Sequence, residues 1–223
     1  TTNHPFIVTM YYAMQTKHRL YFFLQYCPGG EFFRMLRRQP NKRIPESYAR
    51  FYASEILLAI EYLHLLGFIY RDLKPENLML ERMPAGDDFV HILDFGIVHL
   101  DDGVSMTKGF LGTPLYASPE QAMAGQVDRR ADIYSLGVIL YESLVGRVPF
   151  QGRAGGAFVV RDNDDPPDLP EGFPEVAREA TLACLRLDPN ARPESVLEVL
   201  GMLGQSARAG DEITFEVPRL TVG

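Results

Sequence analysis

The sequence is poor in cysteine, in lysine and in long apolar runs. Its two cysteines, Cys27 and Cys184, cannot form a disulfide framework, and free thiols are typical of a reducing compartment. The most apolar stretch, "ILLAIEYLHLLGFIY", is interrupted by Glu61 and His64, so it predicts a buried amphipathic helix and not a membrane span. No signal peptide is visible at Thr1, and we therefore expect a cytoplasmic protein without a membrane span in this chain.

Positive charge is also scarce. The 22 Lys and Arg residues are outnumbered by 29 Asp and Glu, which gives a net charge of −7 and argues against a nucleic-acid partner or an anionic membrane surface. The 223 residues are 46% hydrophobic and 23% charged, an ordinary globular composition with room for one substantial core or two modest ones.

Strand patterns dominate the beginning of the chain. The stretch "FIVTMYYAMQTKHRLYFFLQY" is rich in β-branched and aromatic residues on both sides of a polar turn at residues 17–19, which predicts a hairpin. Two further strand candidates, "NLML" and "FVHILDF", are separated by the turn-like "MPAGDD".

Helical patterns dominate the rest of the chain. Pro45 near the first turn and Gly67 just past the end bound the longest helix. The helices are predicted at 31–39, about 46–66, 131–146, about 174–187 and about 193–203. Residues 97–117 and 151–170 have no clean period and are predicted as loops. Because strands and helices are segregated along the chain, the fold class is predicted to be α+β.

Four polar side chains are candidates for chemistry. In "YRDLKPENLML", Asp72 can orient a hydroxyl and accept its proton, and Lys74 can meet a charged oxygen. Asn77 offers a carbonyl oxygen to a hard cation, and Asp94 closes a strand before Phe95-Gly96, as a Mg²⁺ ligand does. Together the four predict phosphoryl transfer to a hydroxyl. Taken singly, each is more often a residue that caps backbone or forms a turn.

Several motifs in fixed order resemble the eukaryotic-type, or Hanks-type, protein kinase family. "YRDLKPEN" resembles its catalytic loop, "DFG" its metal-binding loop and "GTPLYASPE" the end of its activation segment. "RLYFFLQYCPGGEFF" is similar to its fifth strand and hinge, "DIYSLGVILYESLVGRVPF" to its central large-lobe helix and "LDPNARP" to the turn before its last helix. Details of style look more bacterial than animal, so a bacterial origin is expected.

The resemblance implies ATP and Mg²⁺ as cofactors and a role for each matching residue. Asp72 and Lys74 are the implied catalytic residues, and the metal ligands are Asn77 and Asp94. Leu24 is the gatekeeper, and the backbones of Gln25 and Cys27 meet the adenine. The full implied nucleotide-binding set is Leu24, Gln25, Cys27, Glu31, Lys74, Glu76, Asn77, Met79 and Asp94.

Other matching residues are implied to be regulatory or architectural. Arg71 pairs in the family with a phosphate on the activation segment, for which Ser105 and Thr107 are the expected acceptors. The alternative is that both are ordinary polar loop residues. Thr113 together with Lys74 points to serine/threonine specificity. The expected architectural residues are Glu120 paired with Arg192, and Asp132, which caps the backbone of the catalytic loop. Tyr70 stands where His is commoner, a tolerated change.

Part of the family's machinery is missing. Nothing before His4 matches the glycine-rich loop, and the four lysines (Lys17, Lys42, Lys74 and Lys108) include none on a Val-Ala-Ile-Lys strand. We therefore expect a truncated domain: a small-lobe remnant at 1–26, hinge and large lobe at 27–205, and a tail at 206–223. Met10, Tyr12 and Phe23 are then expected to be exposed, and the chain alone to be inactive.

The resulting hypothesis is an ATP-dependent serine/threonine protein kinase acting on a protein substrate. The alternative from another class is a non-catalytic, pseudokinase-like binding or scaffold module, and a small-molecule kinase of similar fold is a distant third. Since kinases of this style often activate by dimerising, a homodimer is also expected.

Overall fold

The computed structural model describes residues 4–82, 88–93, 115–123, 125–150, 166–170 and 172–204. Its strands are β1 (Met10–Gln15), β2 (Leu20–Leu24), β3 (Gly30–Glu31), β4 (Leu78–Arg82) and β5 (Asp88–Ile92). Its α-helices are α1 (Phe32–Arg38), α2 (Glu46–Leu65), α3 (Pro119–Ala122), α4 (Arg130–Val145), α5 (Glu175–Cys184) and α6 (Val196–Met202). Strands precede most of the helices, so the predicted α+β class is confirmed.

Strands β1 and β2 form the predicted antiparallel hairpin. The turn is closed by the amide of Thr16, which donates to the carbonyl of Arg19 at 2.8 Å. Met10, Tyr12 and Phe23 are 37%, 60% and 50% exposed, as the sequence predicts. This two-stranded sheet therefore presents apolar side chains to solvent in the described part of the chain.

A second sheet has the antiparallel order β3-β4-β5. Met79 is opposite Glu31 on one side and His91 on the other, so these three side chains share one face. The segment before β1 runs beside β5, with a parallel bridge between Ile7 and Ile92. This segment therefore ties the beginning of the chain to the sheet that follows the catalytic loop.

Helix α2 begins directly after Pro45, as predicted, and buries Phe51, Ile56, Ile60 and other residues of its apolar stripe. It ends at Leu65 and not at Leu66, which is 49% exposed because it lies at the cap where the chain turns away. Helix α4 is buried at every position from Ala131 to Leu144 and packs against α2 and α5, so it is the centre of the helical body.

The C-terminal helices differ from their predicted bounds. Helix α5 ends at Cys184, before the predicted Leu187. Helix α6 begins only at Val196, because the side chain of Ser195 accepts a hydrogen bond from the amide of Glu198 and caps the helix there. The four-residue helix α3 was not predicted. No α-helix in the described ranges is long and apolar enough to cross a membrane.

Candidate active site

The loop after α2 brings three of the predicted site residues together. Lys74 Nζ lies 2.8 Å from both carboxylate oxygens of Asp72. Asn77 Nδ2 donates to the main-chain carbonyl and to Oδ2 of Asp72, both at 2.8 Å. The side chain of Asp72 is still 42% exposed. A carboxylate that is oriented by an amide and a cation, yet open to solvent, can meet an incoming hydroxyl.

The backbone of this loop is fixed from below by Asp132. Asp132 is 1% exposed, and its carboxylate accepts the amide of Tyr70 at 2.9 Å and that of Arg71 at 2.8 Å. These bonds hold Arg71 at a φ of +64°, in the left-handed region that non-glycine residues rarely adopt. His64 Nε2 lies 2.8 Å from Oδ2 of Asp132 and completes this buried support.

Helix α3 supports the same loop from the side. Gln121 Nε2 donates to the carbonyl of Arg71 at 2.8 Å. The neighbouring Glu120 forms a two-pronged ion pair with Arg192, at 2.7 and 2.8 Å. The hydroxyl of Tyr70 donates to the carbonyl of Leu93 at 2.5 Å, so the loop is also tied to the residue before Asp94.

The hinge, residues 25–29, joins β2 to β3. The amide of Gln25 donates to the carbonyl of Thr9 at 2.8 Å, and the carbonyl of Cys27 accepts the amide of Gly30 at 3.1 Å. Among the described residues, the amide of Cys27 has no backbone partner, and the carbonyl of Gln25 meets only the Cys27 thiol, at 4.0 Å. One acceptor and one donor, two residues apart, thus have no backbone partner in the described part of the chain and can pair with a planar heterocycle.

The other predicted nucleotide-binding residues lie near these groups. Leu24 ends β2, Met79 is half-buried in β4, and Glu31 lies opposite it in β3 with its carboxylate 3.1 Å from Arg34 Nε. Glu76 is exposed beside Lys74. The amide nitrogen of Asn77 is used by Asp72, which leaves its carbonyl oxygen for a cation. These features fit Mg·ATP at the hinge and the loop.

Some predicted site residues lie outside the described residues: Asp94, Ser105, Thr107 and Thr113. Within the described ranges, no group of three or more His, Cys, Asp or Glu residues is placed to hold a metal ion. Arg71 Nε is buried and has no hydrogen-bond partner among the described residues.

A cavity of about 530 Å³ opens beside the catalytic loop. Buried Glu142 accepts the hydroxyl of Tyr116 at 2.5 Å and lies 3.7 Å from Arg37. Burial raises the pKa of the Glu142 carboxyl, and the pKa of Tyr116 is raised by burial and by the neighbouring carboxylate. The cavity is lined by charged residues of both signs, among them Arg37, Lys42, Lys74, Glu76, Glu142 and Arg147.

Sequence reasoning missed the supporting residues His64 and Gln121. Each contacts a residue more than 45 positions away in the chain, which no local pattern reveals. His64 interrupts the apolar run at the end of the helix. A polar residue within such a run is the one signal in the sequence for a buried polar contact.

Comparison with known proteins agrees with this geometry. The family model described as "Protein kinase domain" matches residues 1–201. A serine/threonine-protein kinase of Neurospora crassa is 38% identical over 79% of this chain and 33% of its own length. Flippase kinase 1 of Saccharomyces cerevisiae is 42% identical over 68% of this chain and 19% of its own length, and human RAC-beta serine/threonine-protein kinase is 44% identical over 68% and 31%.

The chain thus spans a third or less of the length of these three relatives. All three are eukaryotic, so they give no support to the expected bacterial origin. Both the family match and the geometry of the loop and hinge lead to the same conclusion: the chain belongs to the protein kinase domain family.

Proposed function

We propose that the protein is an ATP-dependent serine/threonine protein kinase that transfers the γ-phosphate of ATP to a protein hydroxyl. The arrangement around Asp72, whose carboxylate lies 2.8 Å from both Lys74 Nζ and Asn77 Nδ2, carries the proposal. Serine/threonine specificity is supported by the Neurospora crassa and human relatives, whose names identify them as serine/threonine kinases.

The described residues each have a part in this reaction. Mg·ATP supplies the phosphoryl group and the metal charge that neutralises it when bound. Asp72 orients the acceptor hydroxyl and accepts its proton, while Asn77 keeps that carboxylate in place. Lys74 balances the negative charge that builds up beside Asp72. Gln25 and Cys27 hold the adenine through their open backbone groups, and Met79 packs against the ring.

We further propose that the catalytic domain extends beyond this chain. The apolar face of β1–β2 is exposed in the described structure, and each relative is much longer than the matched segment. The domain division at 26/27 and 205/206 belongs to this proposal. A glycine-rich loop followed by an Ala-x-Lys strand in residues that precede Thr1 would support it, and their absence there would favour the pseudokinase alternative.

Several finer expectations are part of the same proposal. They are a bacterial source, a cytoplasmic location, activation as a homodimer, and a phosphate on Ser105 or Thr107 that pairs with Arg71. The left-handed backbone of Arg71 and its buried Nε are compatible with such a pairing. Asp94 as the second Mg²⁺ ligand, and Thr113 as a specificity residue, stay predictions.

The experiment compares wild type with Asp72→Asn in the complete protein. Loss of the general base should lower phosphate transfer from ATP to a serine- and threonine-containing protein substrate by roughly 10²–10⁴-fold. The melting temperature should be unchanged, because Asp72 is 42% exposed and Asn retains its shape. Asp168→Asn, at an exposed carboxylate that pairs with Arg178, is the matched control and should retain full transfer.

Two results would contradict the proposal. If Asp72→Asn transfers phosphate as wild type does, the role of Asp72 is wrong. If the complete wild-type protein binds Mg·ATP without transferring phosphate to any Ser or Thr substrate, the non-catalytic alternative is correct.

A further inference from the structure

We propose that Glu81 and the side chain of Gln25 are positioning residues, which fix the hinge in the conformation that receives the adenine. The contact to nucleotide rests on the proposed function, whereas the effect on the hinge itself does not. Neither side chain is assigned this role by the family motifs, which use only the backbone of Gln25.

The side chain of Gln25 connects two separate parts of the fold. Its Oε1 accepts the amide of Thr9 at 3.3 Å, next to the backbone bond from the Gln25 amide to the Thr9 carbonyl. Its Nε2 donates to Oε2 of Glu81 at 3.1 Å, across 56 residues of sequence. Gln25 is therefore held to the segment before β1 and to β4 at the same time.

A buried histidine lies beside the same carboxylate. His91 Nε2 lies 2.8 Å from the same Oε2 of Glu81, and the His91 side chain is only 5% exposed. Glu81 and His91 share the sheet face of Met79, the residue expected under the adenine ring. We call the hydrogen-bonded side chains of Gln25 and Glu81 the hinge anchor. It lies on the face of the β4–β5 hairpin that is expected to meet the nucleotide.

The hinge anchor also affects the second hinge group expected to meet the adenine, the backbone amide of Cys27. Cys27 is buried two residues beyond Gln25, and its thiol pKa is raised by burial first and by the charge of Glu81 second. The hinge connects Leu24, where β2 ends, to Gly30, where β3 begins. Fixing Gln25 sets the direction of its carbonyl and, through one intervening residue, that of the Cys27 amide. Preorganised groups lose less conformational freedom when ligand binds.

The test uses the complete protein with Glu81→Ala, Gln25→Ala, the double variant and Glu81→Gln. Hydrogen–deuterium exchange of peptides covering residues 5–11 and 24–30, without nucleotide, reports on the hinge. Titration with Mg·ATP gives Kd, and steady-state rates give KM for ATP and for the protein substrate. Arg82→Ala is the matched control, because the exposed side chain of Arg82 is on the same hairpin and lies 3.9 Å from Asp88.

We expect Glu81→Ala and Gln25→Ala to speed exchange in both peptides and to weaken Mg·ATP roughly tenfold each. The double variant should be no worse than either single one, because the two act as one unit. KM for ATP should rise while kcat and KM for the protein substrate stay within about twofold, a split that general loss of folded protein does not produce. Glu81→Gln retains an acceptor for Gln25 and should recover most of the affinity.

Three results decide against the inference. Unchanged exchange in Glu81→Ala and Gln25→Ala would show that these side chains do not hold the hinge. Faster exchange with unchanged Kd would show that the anchor does not serve the nucleotide. If Arg82→Ala speeds exchange and weakens Mg·ATP binding as much as Glu81→Ala does, the effect comes from general destabilisation of the hairpin. If wild type fails to bind Mg·ATP at all, the proposed function fails, and the nucleotide part of this inference fails with it.

Discussion

At the scale of single residues, Glu55 is a carboxyl group whose pKa is strongly changed by its surroundings. It lies in α2 with no exposed surface, and Oε2 accepts the amide of Val90 at 2.8 Å. Burial raises the pKa of the Glu55 carboxyl to about 9, although the hydrogen bond from Val90 opposes the shift. Glu55 is therefore protonated at neutral pH, and its role is to accept a backbone hydrogen bond inside the core.

This shifted pKa predicts a pH-dependent stability. In the unfolded chain Glu55 releases its proton near pH 4.5, and in the folded protein only near 9. Between these values unfolding releases a proton, so the free energy of unfolding falls by up to about 1.4 kcal/mol per pH unit and levels off above pH 9. Glu55→Gln keeps an acceptor for Val90 and has no proton to lose. Wild type should therefore lose stability relative to Glu55→Gln as the pH rises from 5 to 9, measured by urea unfolding.

Glu61→Gln is the control on the same helix, since Glu61 is only partly buried. A pH dependence equal to that of Glu55→Gln would show that the effect does not come from the burial of Glu55. Parallel pH profiles for wild type and Glu55→Gln would mean that Glu55 is ionised in the folded protein.

The burial of Glu55 could be predicted from its position in the helix, although its residue type argues against burial. Glu55 lies four residues after Phe51 and four before Ala59, so it occupies the stripe that helical spacing assigns to the core. The catalytic-loop residues were easier to predict, because Asp72, Lys74 and Asn77 lie within six positions of one another. Their mutual contacts follow from one local turn.

At the scale of elements, the end of α4 depends on a glycine. Gly146 has a φ of +84°, and its amide donates to the carbonyl of Glu142 at 2.7 Å. A Cβ at this position would lie 2.2 Å from the carbonyl oxygen of Asn41, which is backbone and cannot rotate away. Gly67, just beyond α2, has a φ of +80° but open space around it.

Alanine variants of these two glycines distinguish the cost of a left-handed backbone from the cost of steric overlap. Gly67→Ala should lower the free energy of unfolding by about 1–2 kcal/mol, the cost of a left-handed alanine. Gly146→Ala should cost that amount and roughly 1–3 kcal/mol more, because the turn that contains Asn41 must move. Urea unfolding of both variants measures the difference, and equal losses would show that the Asn41 turn yields freely.

Element length decided which parts of the fold could be predicted. The 20 residues of α2 and the paired strands β1 and β2 repeat their patterns often enough to be recognised. The two residues of β3 and the four of α3 are too short to show a period. Helix α3 is defined instead by its capping box, in which Ser118 and Gln121 bond reciprocally.

At the scale of the whole molecule, distant segments meet through a few buried polar contacts. His64 and Asp132 are 68 residues apart, and Glu120 and Arg192 are 72 apart. No periodicity predicts such pairs, and only the resemblance to a family implied the second one. Arg192 is the most connected of these residues. Its guanidinium, fully buried, bonds to both oxygens of Glu120 and to the carbonyls of Arg130, Arg186 and Leu187.

Through Glu120, Arg192 holds α3, whose Gln121 supports the carbonyl of Arg71 in the catalytic loop. Arg192→Leu should therefore lower the free energy of unfolding by about 3–5 kcal/mol, because it leaves Glu120 buried without a partner. Adding Glu120→Leu should cost less than the sum of the two single losses, since the second change removes the stranded carboxylate. Arg178→Leu, in an exposed ion pair with Asp168, is the control and should change stability little. Urea unfolding gives the free energies of unfolding of wild type, the two single variants, the double variant and the control. Phosphate transfer, measured well below the melting temperature, tests whether α3 controls the catalytic loop. A variant as stable as wild type would show that the buried pair is dispensable, and a destabilised variant with wild-type turnover would show that α3 does not control the loop.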